Sequence, residues 1–362
     1  MTPRRHRTVN KPLSQRNGID PVRLRLPAEF PAELLAHCAD PTEPTVGEYL
    51  TARFYPHAPG VIAQRFAEQE IVDDGGTPLT KSAPFVPGLS IWYFRELEPE
   101  PPVPTDLPVL FEDEWLLAVD KPHYLPTTPR GMYVAHTALT ILRVVMQNPE
   151  LSPAHRLDRP TAGVLLFAKI PVARGPLQML FQERNTQKTY EAIAPVAPAM
   201  EEGDAQLVRS HIVKERGVLK VIQDPPSPEV RPTQVANAIS RIALTQKFGV
   251  DPGSRTPANP TNPELTFPAP GEELGLYHLT PLTGKTHQLR AHMQLLGAPI
   301  LGDVMYPRLI NSHPDEPALP LQLLAKTLEF THPFTGENLT IHSQRHLTYS
   351  PFAAHKPAIE SH

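Results

Sequence analysis

Cysteine is nearly absent: Cys38 is the only one in 362 residues. A lone thiol excludes an intramolecular disulfide and any zinc site built from several thiolates, and it fits a reducing compartment. Long apolar runs are missing as well, and none of the length needed to span a bilayer occurs, which argues against a membrane protein. The first residues, MTPRRHRTVNKPLSQRNG, are basic and lack the apolar centre of a secretory signal. The expectation is a cytoplasmic monomer whose residues 1–20 form a disordered basic tail. Positive charge is not in excess either. A formal net charge of -4 argues against indiscriminate coating of nucleic acid, yet affinity for phosphate depends on where Lys and Arg gather, so a local basic groove stays open.

Proline, by contrast, is abundant, with 46 residues, many in clusters that no helix interior or central strand accepts. PEPPVPTDLP, residues 99–108, reads as a stiff, extended linker and places a domain boundary. A second proline-rich stretch, residues 247–272, has no hydrophobic periodicity and reads as an insertion loop. The expected organisation is therefore a small accessory domain over 21–98, the linker, a main domain over 109–350 and a tail over 351–362. The 40% hydrophobic and 20% charged composition is that of an ordinary globular chain. No repeat of solenoid period is present.

In the first domain, TVGEYLTARF and GVIAQRFAEQ space their apolar residues as amphipathic helices do, and IVDDGGTPLTKSAPFVPGLSIWYF reads as short strands around a turn. Beyond the linker, VLFEDEWLLAVDKP suggests two strands with an acidic turn, TALTILRVVMQ a helix and AGVLLFAK a buried strand. PLQMLFQERNTQ is helical in pattern, KTYEAIAPV strand-like, and GLYHLTPLTG a strand ending in a turn. HQLRAHMQLLG has helical spacing and ends in a glycine suited to a left-handed cap. Strands and scattered helices without regular alternation predict an α+β fold.

Three segments carry candidate chemistry. AHRLDRPTAGVLLFAK sets His155, Arg156, Asp158 and Arg159 just before an apolar strand. A carboxylate between two arginines at the mouth of a sheet can serve as a nucleophile; the plain alternative is an ion-pair network that caps the strand. LTPLTGKTHQLRAHMQLLGAPILGDVMYP gathers Lys285, His287, Arg290 and His292 in a turn and the start of a helix, where exposed amides and cations suit phosphate. No Glu follows His287 and the two histidines are five apart, so the zincin arrangement is absent and no metal is expected. In QKTYEAIA, Tyr190 stands in a strand-like run, a setting that serves packing as well as chemistry. HRLD also invites comparison with the protein-kinase catalytic loop, but Leu157 intervenes, and the glycine loop and Asp-Phe-Gly segment are missing.

In this order, the segments closely resemble the RluA-type pseudouridine synthases over residues 109–340. HRLDRPTAGVLLFAK is similar to the family's signature, with Ala162 where Ser is commonest. LAVDKPHYLPTTP resembles its strand followed by Lys-Pro, with His123 and Tyr124 in place of small residues. QKTYEAIA resembles the tyrosine segment, and the long third segment has Lys285 where Arg is usual. LQLLAKTLEFTHPFTGE resembles the closing segment, with Gln322, Leu323 and Leu324 where Leu-His-Ala is usual. The resemblance implies a pseudouridine synthase fold, a mixed and mostly antiparallel sheet with flanking helices, and isomerisation of uridine in RNA without metal or organic cofactor.

It further implies Asp158 as nucleophile, Arg290 as its ion-pair partner, Tyr190 stacked on the target base, and Arg156 as a probe that displaces it. His155, Arg159, Lys285 and His287 would contact the RNA. Attack on the anomeric carbon, attack on carbon six, and abstraction of a sugar proton are all open to the aspartate. Residues 46–97 also resemble the helix-helix-hairpin module of the fourth small-subunit ribosomal protein, with Arg53 and Arg65 as its basic candidates. That module points to large-subunit ribosomal RNA first and transfer RNA second. Two other classes compete: a catalytically silent RNA-binding protein of the same fold, and a carboxylate-dependent hydrolase. The first leaves the joint presence of Asp158, Tyr190 and Arg290 unexplained; the second lacks a partner acid.

Overall fold

The computed structural model describes residues 11–57, 59–95, 97–225, 232–250, 268, 269, 271–306 and 319–352. The chain divides into two units, Met1–Pro99 and Glu100–His362.

In the first unit, Thr45 and Glu48 form a reciprocal capping box that starts α1 (Val46–Phe54), and α2 (Pro59–Ala67) follows. β1 (Val22–Arg25), β2 (Val72–Asp73) and β3 (Ser90–Tyr93) form a three-stranded sheet in the order β1-β3-β2. Leu50, Ile62, Ile71 and Ile91, all fully buried, join the helices to this sheet. Residues 11–20, expected to be disordered, are pinned instead: Lys11 pairs with Asp20, and Arg16 pairs with Glu70 and lies over the Phe94 ring. Residues 1–10 of that tail lie outside the described residues. The two basic candidates of this unit differ in setting, Arg53 being exposed and Arg65 half-buried. Arg65 donates to the Phe94 carbonyl and Arg53 lies over Phe54.

The second unit is built on one eleven-stranded sheet. Its strands are β4 (Val109–Glu112), β5 (Leu116–Lys121), β6 (Ser152–Pro153), β7 (Ala162–Ala168), β8 (Thr186–Pro195), β9 (Ala205–Val213), β10 (Ile222–Asp224), β11 (Ala238–Gly249), β12 (Glu273–Pro281), β13 (Leu323–Thr331) and β14 (Asn338–His342). The main path runs β10-β9-β11-β12-β8-β13-β7-β5-β4, with β6 on β7 and β14 on β13. Among the described residues only the β7–β13 pairing is parallel, so the sheet is mixed and mostly antiparallel, and the fold is α+β. Helices α3 (Ala138–Val145), α4 (Pro171–Gln182) and α5 (Gln288–Leu295) flank it.

Each local pattern has its cause in the sequence. β7, AGVLLFA, is buried at all seven positions because both faces are covered, which is why it reads as a continuous apolar run. Its large side chains each contribute about 1.5–3 kcal/mol by burial. Gly163 adopts φ 113, and a Cβ there would stand 2.2 Å from the Ala325 carbonyl oxygen, so only glycine allows β13 to approach β7. The strands β9 and β11 were not anticipated, although β11 alternates buried and more exposed positions along most of its length. Residues 247–249 of the expected insertion loop extend β11, and most of the remainder lies outside the described residues. α4 begins at Pro171 and carries Pro176 inside it, five residues earlier than the apolar pattern suggested.

The proline-rich segment 99–108 is not a free linker. Its Glu100 carboxylate accepts from the amides of Val134, Ala135 and His136 at 3.0, 2.7 and 2.8 Å, and Val103 and Leu107 pack on the core beneath α3.

α5 lies across the sheet against β9, β11 and β12 and buries Leu289, Met293 and Leu295 in the core formed with Ala192, Ile242 and Leu279. His292, fully buried, faces Ser210 of β9 at 2.9 Å, and burial pushes its imidazole down to about 4. The unfolded chain protonates this group below its ordinary value near 6.5 while the folded chain does not until about 4. Stability therefore falls as pH falls through that window, by about 1.4 kcal/mol per pH unit. Urea unfolding at pH 6.5 and 4.5 should show this loss, and His292→Gln should reduce it; an unchanged slope would refute the role given to His292.

Candidate functional site

Asp158 stands in the loop between β6 and β7, and every neighbouring turn of that loop is tied down. Thr127 Oγ1 donates to the Leu157 carbonyl at 2.8 Å and accepts from the Leu157 amide at 3.2 Å. The Thr161 amide closes the turn on the Asp158 carbonyl at 3.1 Å. Lys121, with no exposed surface, donates to the carbonyls of Pro122, Leu125 and Arg159 at 2.9, 2.8 and 3.3 Å. Burial pushes its amine down to about 7, against the pull of the nearby Asp158 carboxylate. His123 Nδ1 donates to the Pro160 carbonyl at 2.6 Å. One departure from the family pattern thus acts as a clamp on the loop that carries the aspartate.

The Asp158 side chain is about one-third exposed, at 34%. Its neighbours come from α5 and the turn before it: Arg290 Nη1 at 3.5 Å and His287 Nε2 at 3.7 Å. His287 has a left-handed backbone, φ 53, at the start of α5, and this directs the ring toward the loop rather than along the helix. Burial pushes its imidazole down, while Asp158 pulls the other way. Arg290 is 2% exposed and is held chiefly by another carboxylate: Nε and Nη2 donate to the two oxygens of Asp303 at 2.7 Å each. Asp303 also accepts from the amides of Met305 and Tyr306, and the Tyr306 ring lies 5.4 Å from the guanidinium. Burial alone would push Arg290 down; the hydrogen bonds and charge of Asp303, then the charge of Asp158, outweigh it and hold it above its ordinary value. One edge of the fork, two of its three nitrogens, is thereby committed to Asp303, and the third nitrogen faces Asp158.

Tyr190, on β8, packs against two cores at once, the one beneath α5 and the one beneath α3. Burial, and next the Asp158 carboxylate, push its phenol up, so it is protonated at neutral pH. Asp158, Tyr190, Arg156, His287 and Arg290 line one cleft of about 870 Å³, and Asp158 also lines a second cavity of about 360 Å³ with Tyr124, Tyr133 and Arg159.

The sequence of this cleft matches the RNA pseudouridylate synthase family model over residues 115–295, half of the chain. The dual-specificity RNA pseudouridine synthase RluA of Haemophilus influenzae is 33% identical over 252 residues, covering 68% of this chain and 97% of that protein. The chain belongs to the RNA pseudouridylate synthase family. It is an enzyme of that class. The tRNA pseudouridine synthase C of Pasteurella multocida is 31% identical over 65% of this chain and 90% of its own length. Among solved structures, human RNA pseudouridylate synthase domain containing 1 covers 68% of this chain and 86% of its own, at 21% identity and a TM-score of 0.48. No helix among the described residues is long and apolar enough to cross a membrane.

The pseudouridine synthase cleft brings together Asp158, Tyr190, Arg156, Lys285, His287 and Arg290. Arg156 is exposed with no ion-pair partner among the described residues, free to reach outward. Other candidates occupy different roles. His155 accepts from the Leu166 amide at 3.2 Å and stacks on Phe181; burial pushes it down to about 3, so it offers the strand a neutral ring and the RNA no charge. Arg159 donates to the Tyr133 hydroxyl at 3.2 Å and lies near the Tyr124 and Tyr133 rings, facing the smaller cavity. His292 turns away from the cleft toward β9. The start of α5 is also not an open amide cradle, because the Gln288 side chain accepts from the Lys285 amide and the Gln288 amide donates to the Lys285 carbonyl.

Lys121, His123, Thr127, Asp303 and Tyr306 were missed as members of the site. All five lie inside the segments that carry the family resemblance, but none sits beside the HRLD cluster in sequence.

The two carboxylates on Arg290 should separate cleanly by stability. Asp303→Asn leaves a buried guanidinium without its bidentate partner and should cost about 3–5 kcal/mol. Asp158→Asn, at a partly exposed pair, should cost about 1 kcal/mol or less. Equal losses in urea unfolding would contradict this division.

Proposed function

We propose that this pseudouridine synthase isomerises uridine within folded RNA with Asp158 as nucleophile, Tyr190 as the platform for the target base and Arg156 as the side chain that fills the vacated stack. Large-subunit ribosomal RNA is the first target and transfer RNA the second. The observation that carries the reading is the shared cleft. A partly exposed carboxylate faces a committed guanidinium at 3.5 Å and an imidazole at 3.7 Å, and opens onto the space bordered by Tyr190. Support for the RNA class is the naming of two relatives as a dual-specificity RNA enzyme and a tRNA enzyme.

The chemistry suits these groups. The bond from uracil N1 to the sugar breaks, the base rotates, carbon five joins the anomeric carbon, and the carbon-five proton leaves to solvent while N1 gains one. Electrons balance without a redox partner. The freed base must not escape: attack on carbon six ties the base to the carboxylate, whereas attack on the sugar leaves the base held by the cleft alone. Arg290, fixed by Asp303, holds a positive charge beside that carboxylate without needing to reorganise. Tyr190 offers a flat aromatic face to the base, and its phenol stays protonated. Bringing the nucleotide out of its stack costs about a few kcal/mol, part of which an inserted arginine offsets.

Tritium release from RNA labelled at uracil carbon five tests the assignment: the wild-type enzyme should release it, and Asp158→Asn should fall to background while remaining folded. Robust release by that variant would remove Asp158 from the role. Pseudouridine mapping in total RNA from cells lacking the enzyme tests the target class; loss confined to RNA other than ribosomal and transfer RNA would sink it.

A further inference from the structure

Side chains two apart on a strand share a face, so Lys188 of β8 lies on the same face as Tyr190, roughly 7 Å along the strand. At that position it borders both the target-base cleft and an adjoining groove. The groove, of about 630 Å³, runs between the end of α4 with the start of β8 on one side and the turn after β12 on the other. Phe181, Lys188, Thr283 and Lys285 border both the cleft and the groove, so the two form one continuous depression.

The charge of the groove is one-sided. Arg184, Lys188 and Lys285 line it, and no carboxylate does. Arg184 and Lys285 are exposed. Lys188 is partly buried over the Phe181 ring at 5.9 Å, with no carboxylate at ion-pair distance among the described residues. Burial pushes its amine down, and its charge helps push His155 down in turn. A half-buried ammonium without a counter-ion is costly, and an anion entering the groove would relieve that cost.

The rest of the lining narrows the kind of anion. Side-chain amides and hydroxyls of Gln182, Asn185, Gln187 and Thr280 supply neutral hydrogen-bonding groups. The single aromatic ring, Phe181, is already covered by Lys188 and stacked with His155, so no free platform remains for a base. Cations and neutral polar groups without a stacking surface suit a phosphodiester backbone, with the bases turned away.

We propose that Arg184, Lys188 and Lys285 form a backbone track for the RNA strand on one side of the target uridine, gripping its phosphates without reading its bases. This rests on the reading of the Asp158 cleft as the uridine site. The track accounts for Lys188, which the isomerisation does not use, and it gives a chain of net negative charge a local hold on RNA.

The test is binding of fluorescein-labelled single-stranded oligouridylate, followed by anisotropy across a salt series, for the wild-type enzyme, Arg184→Gln, Lys188→Gln and Lys285→Gln. Each substitution should weaken binding and lower the magnitude of the slope of log affinity against log salt by about 1. Oligocytidylate should respond equally, because the contact is to backbone. Arg209→Gln, on an exposed position of β9 outside the groove, should keep the wild-type slope. Wild-type slopes in the Arg184 and Lys188 variants would overturn the proposal, as would an equal fall in Arg209→Gln. An effect seen with oligouridylate but not oligocytidylate would replace the backbone track by base recognition and overturn it too. Tritium release by the wild-type enzyme is measured alongside: its absence would sink the reading of the cleft, while the slopes would still decide the groove.

Discussion

One guanidinium between two carboxylates organises the catalytic unit. Arg290 is almost fully buried, and such a charge is tolerable only because Asp303 meets it with two 2.7 Å hydrogen bonds and shares its burial. The pair fixes α5 to the loop that contains Tyr306, and from that anchored position the remaining nitrogen addresses Asp158. The guanidinium expected to pair with Asp158 is therefore shared, with its tighter contacts given to Asp303 and its looser one to Asp158. The asymmetry matters chemically. A carboxylate locked into two short bonds would be a poor nucleophile, whereas one held at 3.5 Å and partly exposed keeps its oxygens available.

A second constraint acts from the opposite side, through backbone rather than charge. Lys121, His123 and Thr127 all bond to carbonyl or amide groups of the Asp158 loop, so the loop is held by its main chain and the carboxylate is left free to point into the cleft. Preorganisation of this kind lets substrate binding proceed without ordering the loop first. Tyr190, wedged between two cores, is fixed by packing. Arg290, the Asp158 loop and Tyr190 are thus held by three different means: ion pairing, backbone hydrogen bonds and apolar contact.

Much of this was legible in the amino-acid order. Continuous apolar runs announced β5 and β7, the glycine at 297 marked the end of α5, and the HRLD, Tyr190 and Arg290 segments pointed to one cleft. Other features were hidden for physical reasons. Strands β9 and β11 are only half-buried, so their weaker alternation sits among polar residues. The proline segment 99–108 looked like a spacer because its stiffness is local information, whereas its anchoring through Glu100 depends on amides more than thirty residues away. Asp303 could not be separated from an ordinary loop aspartate by sequence, since its meaning comes from the burial of Arg290. His155 looked like a cation because composition counts its type but not its surroundings.

The position of β13 has a temporal consequence. This strand lies between β7, which follows the Asp158 loop, and β8, which carries Tyr190, yet it comes from residues 323–331 near the other end of the domain. During synthesis Asp158 and Tyr190 emerge early, beside or on strands that have no direct pairing with each other. They acquire their mutual spacing only when the late strand slides between them. The ribosome must therefore deliver nearly the whole domain before a competent cleft exists, and a nascent chain carrying every reactive side chain is still unable to act on the RNA around it.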